Sequence, residues 1–198
     1  MIRLLPITLA VFLAGCVGFS STRLSEGQVE GAAKRYEKYV GDMHVLPSVD
    51  VHVEPLNAKA KTTMVFPVPL YEGERASAGS KLLFFVSIMS KQPGQVLTPQ
   101  AFAYLSPTGE RFAPVSLVGP EDCGSRQPRP AAVRAPLPAF PLTVGRCHKM
   151  LVEFEAPTPD PSERFGFSLG ALQSAQGAVT LPVVYFSQST RLNTVAVP

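Results

Sequence analysis

Three alternating residues, Asp50, His52 and Glu54, bring two carboxylates and an imidazole to one stretch of the chain. On a β-strand their side chains point to one face about 7 Å apart, while the valines between them point to the other. Such a face could bind a metal ion or share a proton, so a small periplasmic hydrolase or a metal-dependent enzyme is one alternative. An exposed strand face is polar without any such role, and no second cluster completes a site.

Several other catalytic signatures are absent from the sequence. It contains no H-E-x-x-H pair, no phosphate-cradling glycine loop and no dinucleotide fingerprint. His44 and His148 are isolated histidines, and each is more typical of a surface or partly buried residue than of a metal ligand. We therefore expect no catalytic residues, no metal site and no cofactor, and a protein that acts by binding.

The N-terminus has the features of an export signal. Arg3 precedes an uncharged run from Leu4 to Ala14, which is about half the ~20 residues that a membrane-spanning helix needs. The run continues into Leu13-Ala14-Gly15-Cys16, which resembles the lipobox of bacterial lipoproteins.

This resemblance implies that residues 1–15 are a signal peptide, removed before Cys16. The Cys16 thiol would then carry diacylglycerol, with acyl chains such as palmitate, and residues 16–24 would form a lipidated tether to the membrane. Val17 and Gly18 stand where inner-membrane retention signals carry aspartate, so the resemblance favours the outer membrane. The protein would face the periplasm, with the cell surface as the alternative.

With Cys16 lipidated, Cys123 and Cys147 are the two cysteines left in an oxidising compartment, so we predict a disulfide between them. The bridge would close a proline-rich loop, 123–147. That segment also carries four arginines and no acidic residue, although the whole chain has a net charge of only +3. The arginines are Arg126, Arg129, Arg134 and Arg146.

A stiff loop that holds guanidinium groups apart could engage an anionic envelope component or an acidic protein, which makes Arg126, Arg129 and Arg134 candidate binding residues. A solvated loop that arginine keeps soluble is the alternative.

Residues 25–41 show the pattern of an amphipathic helix. Ser25 and Gln28 match a capping box, and Gly41 stands where a helix-ending glycine is common. Apolar residues recur at helical spacing, which predicts a stripe that packs on the protein's own sheet or docks another protein. The candidate docking residues on this stripe are Val29, Ala33, Tyr36 and Val40.

The remainder, residues 45–192, favours a mainly β fold. The whole chain has 20 prolines among 198 residues, and after residue 45 short β-type runs alternate with proline and glycine. We predict one antiparallel β-sandwich domain of immunoglobulin-like type with about eight strands, preceded by the helix. The predicted strands are Val49–Glu54, Thr62–Val68, Lys81–Met89, Ala101–Leu105, Arg111–Val115, Cys147–Glu155, Arg164–Leu169 and Val179–Ser187.

Composition and motifs together define the expected function. A 17% share of charged residues and the small net charge do not suit nucleic-acid binding. We expect a lipid-anchored, non-catalytic binding or scaffold subunit of the cell envelope, such as an accessory subunit of a secretion or envelope assembly. Its expected partners are the membrane, through the N-terminal lipid, and an envelope protein.

Overall fold

A computed structural model describes residues 17–65, 72–76, 81–125 and 130–196. The predicted signal peptide, Cys16, Arg126 and Arg129 lie outside the described residues. So does the end of the predicted strand Thr62–Val68, whose first part belongs to an observed strand.

The regular secondary structure of the described residues is almost entirely β-strand, with one short 3₁₀ helix at Pro99–Ala101. The strands in chain order are β1 (Val17–Gln28), β2 (Ala33–Glu37), β3 (Gly41–Val45), β4 (Val49–Pro55), β5 (Lys59–Val65), β6 (Glu72–Ala76), β7 (Leu82–Ser90), β8 (Val96–Leu97), β9 (Ala103–Leu105), β10 (Arg111–Phe112), β11 (Pro114–Asp122), β12 (Val133–Arg134), β13 (Phe140–Pro141), β14 (Cys147–Phe154), β15 (Phe165–Ser168), β16 (Ala171–Ser174), β17 (Gly177–Thr180) and β18 (Val183–Ala196).

These strands form two large antiparallel sheets and a small one. The first sheet has the order β10-β9-β15-β18-β1-β5-β6, and the second has the order β12-β11-β14-β7-β4-β3-β2. A four-stranded sheet, β13-β8-β16-β17, lies beside them. The prediction of a mainly β, antiparallel fold is therefore confirmed, but the described residues form 18 strands where about eight were predicted, and many of them span only two to five residues.

The two large sheets pack together around Phe84. Its ring centroid lies 5.6 Å from that of Phe154 in the same sheet, and 4.8 Å and 6.0 Å from those of Phe167 and Phe186 in the other. All four rings are buried, as is Tyr104 beside them. Burying a large apolar side chain is worth about 1.5–3 kcal/mol, so this aromatic layer contributes strongly to holding the sheets face to face.

The strands predicted from strong local patterns are observed. The apolar run Lys81–Met89 overlaps β7 (Leu82–Ser90), which lies between β14 and β4 in the second sheet. The segment 106–109 closes a hairpin between β9 and β10, with Gly109 at φ 88° as the turn requires. A turn is decided by residues adjacent in sequence, which explains why this hairpin could be predicted.

The helix predicted over residues 25–41 is wrong. Its first residues belong to β1, and the rest forms the hairpin of β2 and β3. Gly31 and Gly41 adopt φ angles of 70° and 97°, and they lie before β2 and at the start of β3. Because β1 is bonded to β18 along its whole length, pairing distant in sequence outweighs local helix propensity.

Gly27 shows why this segment suits a strand. A Cβ atom there would lie 2.8 Å from Cγ1 of Val184 and 3.1 Å from a ring carbon of Phe186. Those distances leave no room for a side chain, so only glycine lets β1 approach β18 this closely. The same glycine in a helix would cost about 1 kcal/mol relative to alanine.

The expected tether also differs from the structure. β1 starts at Val17, so residues 17–24 of the segment predicted as a linker pair with β18, and residues 17–23 pair with β5 as well. Paired on both sides, this segment is part of the first sheet.

The disulfide between Cys123 and Cys147 is present, with the two Cα atoms 5.4 Å apart. The loop that it closes is not a free excursion, because β12 pairs with β11 and β13 pairs with β8. The bridge therefore joins the ends of a loop that also contacts the fold at two other points.

No helix within the described residues has the length and hydropathy that a membrane span needs.

Replacing Cys147 with Ser should lower the free energy of unfolding by about 2–5 kcal/mol, because the unfolded chain loses a constraint on the 123–147 loop. Urea denaturation under non-reducing conditions measures the loss. Wild-type protein treated with reductant serves as the control and should match the variant. Equal stability of oxidised wild type and variant would contradict a stabilising bridge.

Candidate functional site

The predicted face of β4 exists. Val49, Val51 and Val53 are buried in the core, and the three polar residues alternate with them. Asp50 is only 2% exposed, however, whereas His52 is partly exposed and Glu54 is exposed. The three side chains share one face but lie in different environments.

Asp50 is held by two cations from distant parts of the chain. Arg35, on β2, donates from Nη2 to Oδ2 at 2.6 Å, and the Nζ of Lys91 lies 2.6 Å from Oδ1. Lys91 also donates to the carbonyl oxygen of Leu46 at 2.7 Å. We call Arg35, Asp50 and Lys91 the Asp50 clamp. A buried carboxylate needs such partners, since an unpaired charge in this position is costly.

His52 and Glu54 have their own contacts. The Nδ1 of His52 lies 2.8 Å from the carbonyl oxygen of Asp42, and its Nε2 lies 3.8 Å from Oε2 of Glu54. Interaction with His52 is the main reason that the pKa of Glu54 lies below its usual value. Because a carbonyl oxygen only accepts, His52 carries a proton on Nδ1 and links β4 to β3.

The β4 face therefore ties the second sheet together. Asp50 is committed to the clamp and His52 to the hairpin, and in the described part of the chain no three His, Cys, Asp or Glu side chains come together as a metal site requires. These contacts give each polar group a structural partner.

The hairpin of β2 and β3 carries two exposed tyrosines. Tyr36 is 73% exposed and Tyr39 is 61% exposed, although large apolar surfaces are usually buried. The ring of Tyr39 packs on Gly124, which follows β11 and lies next to the disulfide. The hairpin tip thus meets the start of the 123–147 loop.

A hollow of about 750 Å³ lies at this meeting point. We call it the tyrosine hollow, and its lining residues are Tyr39, Pro120, Glu121, Asp122, Gly124, Ser125, Pro130 and Arg146. It combines an aromatic ring, two prolines and a guanidinium group. Tyrosine and arginine are enriched in protein interfaces and at their energetic hot spots.

The acidic residues of the tyrosine hollow are neutralised locally. Asp122 accepts from the backbone N–H of Gly124 at 2.9 Å and from Nε of Arg146 at 3.0 Å, and these bonds lower its pKa. The Nζ of Lys149 lies 3.7 Å from Glu121. With Arg146 paired to Asp122 and Lys149 close to Glu121, the charges of these described residues balance one another.

Of the arginines predicted as binding residues, Arg134 is described. It is exposed on β12 and lies with Lys81 and Glu153 around a second hollow of about 570 Å³. Arg146, in the tyrosine hollow, lies next to Cys147. The structure therefore places Arg134 and Arg146 in separate hollows.

The predicted docking stripe does not form one face. Val29 is buried in the core, Ala33 and Tyr36 are exposed on β2, and Val40 is half-buried in the turn. The helical spacing that grouped them has no meaning in a hairpin. Tyr36 is the only one of the four that adds a large exposed ring near the tyrosine hollow.

Tyr39 was not predicted as a site residue. Tyr39 lines the tyrosine hollow because it contacts Gly124, which is remote in sequence. No local sequence pattern predicts that contact. The available signal was the pair of glycines, Gly31 and Gly41, which bracket β-prone residues as hairpin turns do.

His44 links the hairpin to β1. Its Nε2 donates to the carbonyl oxygen of Gly27 at 3.1 Å, and it is only 5% exposed. Burial is the main cause of its lowered pKa, followed by the positive charge of Lys34. The neutral ring leaves Nδ1 as a buried acceptor without a hydrogen-bond donor. Protonation would place a charge in this closed position.

Comparisons of the chain with protein-family models, with curated proteins and with solved structures found no match.

Removing both cations of the Asp50 clamp should cost more stability than removing its carboxylate. The Arg35→Gln/Lys91→Gln double variant leaves a charge buried and should lose about 3–5 kcal/mol. Asp50→Asn should lose about 1–3 kcal/mol, because both cations can turn to solvent. Urea denaturation measures each loss, and Lys34→Gln, in an exposed pair with Glu26, should cost about 0–1 kcal/mol. The reverse order of the clamp variants would contradict the buried-charge account.

Lowering the pH should reduce the free energy of unfolding, because His44 becomes protonated in a buried position. Its folded pKa lies below the ordinary value of 6.5, so the unfolded chain takes up the proton first as the pH falls. The contribution of neutral His44 to the free energy of unfolding is therefore complete above about pH 6.5. It is lost as the pH falls through the pKa of His44 in the folded protein.

Unfolding free energies at about pH 7.5 and about pH 5.5 measure this loss, and His44→Gln should reduce it. His148, whose pKa is also lowered by burial, provides the comparison in His148→Gln. A pH dependence that His44→Gln leaves unchanged would rule out His44 as its source.

Proposed function

We propose that this protein is an outer-membrane lipoprotein that faces the periplasm and acts as a non-catalytic binding or scaffold subunit of the cell envelope. The observation that carries the proposal is the tyrosine hollow, where Tyr39, two prolines and Arg146 surround an open surface next to a disulfide, while Tyr36 is exposed on the same hairpin. The lipobox-like segment ending at Cys16 supports the proposed attachment to the membrane.

The partner of the tyrosine hollow is a protein with acidic groups. Exposed tyrosines supply large contact areas with few rotatable bonds, and arginines bind carboxylates through paired hydrogen bonds. The 123–147 segment contains four arginines and no acid, so it complements an acidic surface. A secretion or envelope assembly that recruits an accessory subunit fits this chemistry.

The sandwich acts as a scaffold in this proposal, as in immunoglobulin-like domains, where a rigid pair of sheets presents loops. The clamp and the disulfide hold the two sides of the tyrosine hollow in place before any partner arrives. Binding then orders few additional groups, which favours affinity.

Lipidation is tested by changing Cys16 to Ser and fractionating cells. Without the thiol no diacylglycerol can be attached, so the variant should stay unprocessed and the mature, membrane-pelleting form should disappear. Intact mass of the wild type should show the added lipid. A Ser variant that is still processed and still pellets as the mature form would contradict the lipoprotein assignment.

The binding surface is tested by photo-crosslinking in cells. A photoreactive phenylalanine analogue at Tyr36 should yield one discrete adduct, and adding Tyr39→Ala should lower its yield, because hot-spot tyrosines contribute about 2 kcal/mol or more to binding. Tyr185→Ala is the matched control, since Tyr185 is also exposed but lies on β18.

A second set of variants tests the charge of the partner. Changing Arg126, Arg129 and Arg134 together to Gln should lower the adduct yield while leaving the melting temperature nearly unchanged, because exposed charges add little stability. Added salt should weaken the association as well, since surface charges are screened beyond about 8 Å at physiological ionic strength. An adduct that neither Tyr39→Ala nor the triple change affects would place the binding surface elsewhere.

A further inference from the structure

The described part of β1 begins at the residue that is covalently bonded to Cys16. From Val17 onward the chain pairs with β18 on one side and β5 on the other. A lipid on Cys16, as in the proposed function on which this inference rests, would therefore be joined to a three-stranded segment of sheet without a flexible linker. Paired strands bend little, so such a junction restricts how the domain sits on the membrane.

Three strand ends meet next to Cys16. Val17 is in register with Ala196 and with Val65, and Phe19 is in register with Thr194 and Thr63. We call residues 17–19, 63–65 and 194–196 the anchor end. By residue type none of these nine positions is charged, which is compatible with contact with lipid.

Basic residues follow directly behind the anchor end. In register order, Ser21 pairs with Lys61, Thr22 with Arg191 and Arg23 with Lys59, and no acidic residue occurs in the same parts of these three strands. Glu72 and Glu74 lie one strand outward on β6, in register with Thr63 and Lys61, and Lys59 forms an ion pair with Asp160. Arg191 and Leu192 are exposed, and the leucine is 79% exposed. Basic residues beside an uncharged tip suit a bilayer with anionic headgroups.

We propose that the anchor end rests on the phospholipid bilayer and that the direct link from Cys16 to β1 holds the first sheet upright on the membrane. The occupant of this surface is the lipid bilayer that carries the Cys16 anchor. The tyrosine hollow is then presented by a domain of restricted orientation.

β18 provides two positions that test this orientation. Thr194 lies in the anchor end, and Tyr185 lies nine residues away on the same strand, opposite Gln28. At about 3.3 Å per residue the two positions are about 30 Å apart, whereas half of a bilayer's hydrocarbon core is about 15 Å. A bilayer under the anchor end cannot reach Tyr185 if the sheet stands upright.

The chain contains no tryptophan, so a single introduced tryptophan reports one position. The mature chain from Cys16 onward is attached to vesicles of phosphatidylethanolamine and phosphatidylglycerol whose acyl chains carry bromine, a fluorescence quencher. In these vesicles Thr194→Trp should lose fluorescence and Tyr185→Trp should not. Met64→Trp, opposite Gly18 in β5, should behave like Thr194→Trp and replaces it if that variant misfolds.

The attachment is made through a maleimide lipid coupled to the Cys16 thiol, the one cysteine outside the Cys123–Cys147 disulfide. The orientation is thereby tested whether or not cells lipidate the protein, and intact mass of the cellular protein tests lipidation separately. Loss of fluorescence at both positions would mean that the sheet lies flat. Fluorescence that is unchanged at both positions would mean that the domain does not contact the bilayer. Either result overturns the proposal.

A linker variant tests the direct junction. Ten glycine and serine residues inserted between Cys16 and Val17 add a flexible reach of about 17 Å. The fluorescence loss of Thr194→Trp should then shrink toward the level of Tyr185→Trp. An unchanged loss would show that the anchor end holds the bilayer by itself and would overturn the role of the short junction.

Discussion

The buried charge of Asp50 is the constraint on which the candidate site depends. Its carboxylate lies in the second sheet and is reached by Arg35 from β2 and by Lys91 after β7. If the hairpin of β2 and β3 lifted away, the carboxylate would lose its guanidinium partner while remaining poorly solvated. That cost, a few kcal/mol for breaking a buried pair, keeps the hairpin in place and with it Tyr36 and Tyr39.

The disulfide fixes the opposite side of the same surface. Cys123 follows β11, Cys147 begins β14, and the backbone N–H of Cys123 donates to the carbonyl oxygen of Cys147 at 3.0 Å. Gly124 and Arg146, one residue from each cysteine, both line the tyrosine hollow. The hollow is therefore built from a hairpin held by electrostatics and a loop held by a covalent bond, and both are connected to strands of the second sheet.

Sequence reasoning succeeded where neighbouring residues decide the outcome. The alternation around Asp50, the turn before Gly109 and the pairing of Cys123 with Cys147 depend on local pattern or on a small set of choices. It failed over residues 25–41, because helical spacing and a capping box are also compatible with a strand followed by a hairpin. The deciding contacts, Gly27 against Val184 and Arg35 with Asp50, connect residues that no local window compares.

The same limit explains why the tyrosine hollow could not be predicted. Tyr39 and Gly124 come together only in the folded second sheet, to which the hairpin belongs through the pairing of β3 with β4. Chemical residue types alone pointed to Asp50, His52 and Glu54, whose contacts in the structure hold strands together. Exposure of an aromatic ring, which marks Tyr36 and Tyr39, is a property of the fold and not of the sequence.

Hydroxyl-radical footprinting of the unmodified protein tests the central claim most directly, because radicals oxidise tyrosine rings in proportion to their exposure. Oxidation in intact cells is compared with oxidation of the purified protein. If the tyrosine hollow binds an envelope protein, Tyr36 and Tyr39 will be protected in cells while Tyr185 is oxidised equally in both samples. Equal oxidation of Tyr36 and Tyr39 in cells and in the purified protein would contradict a bound partner at this surface.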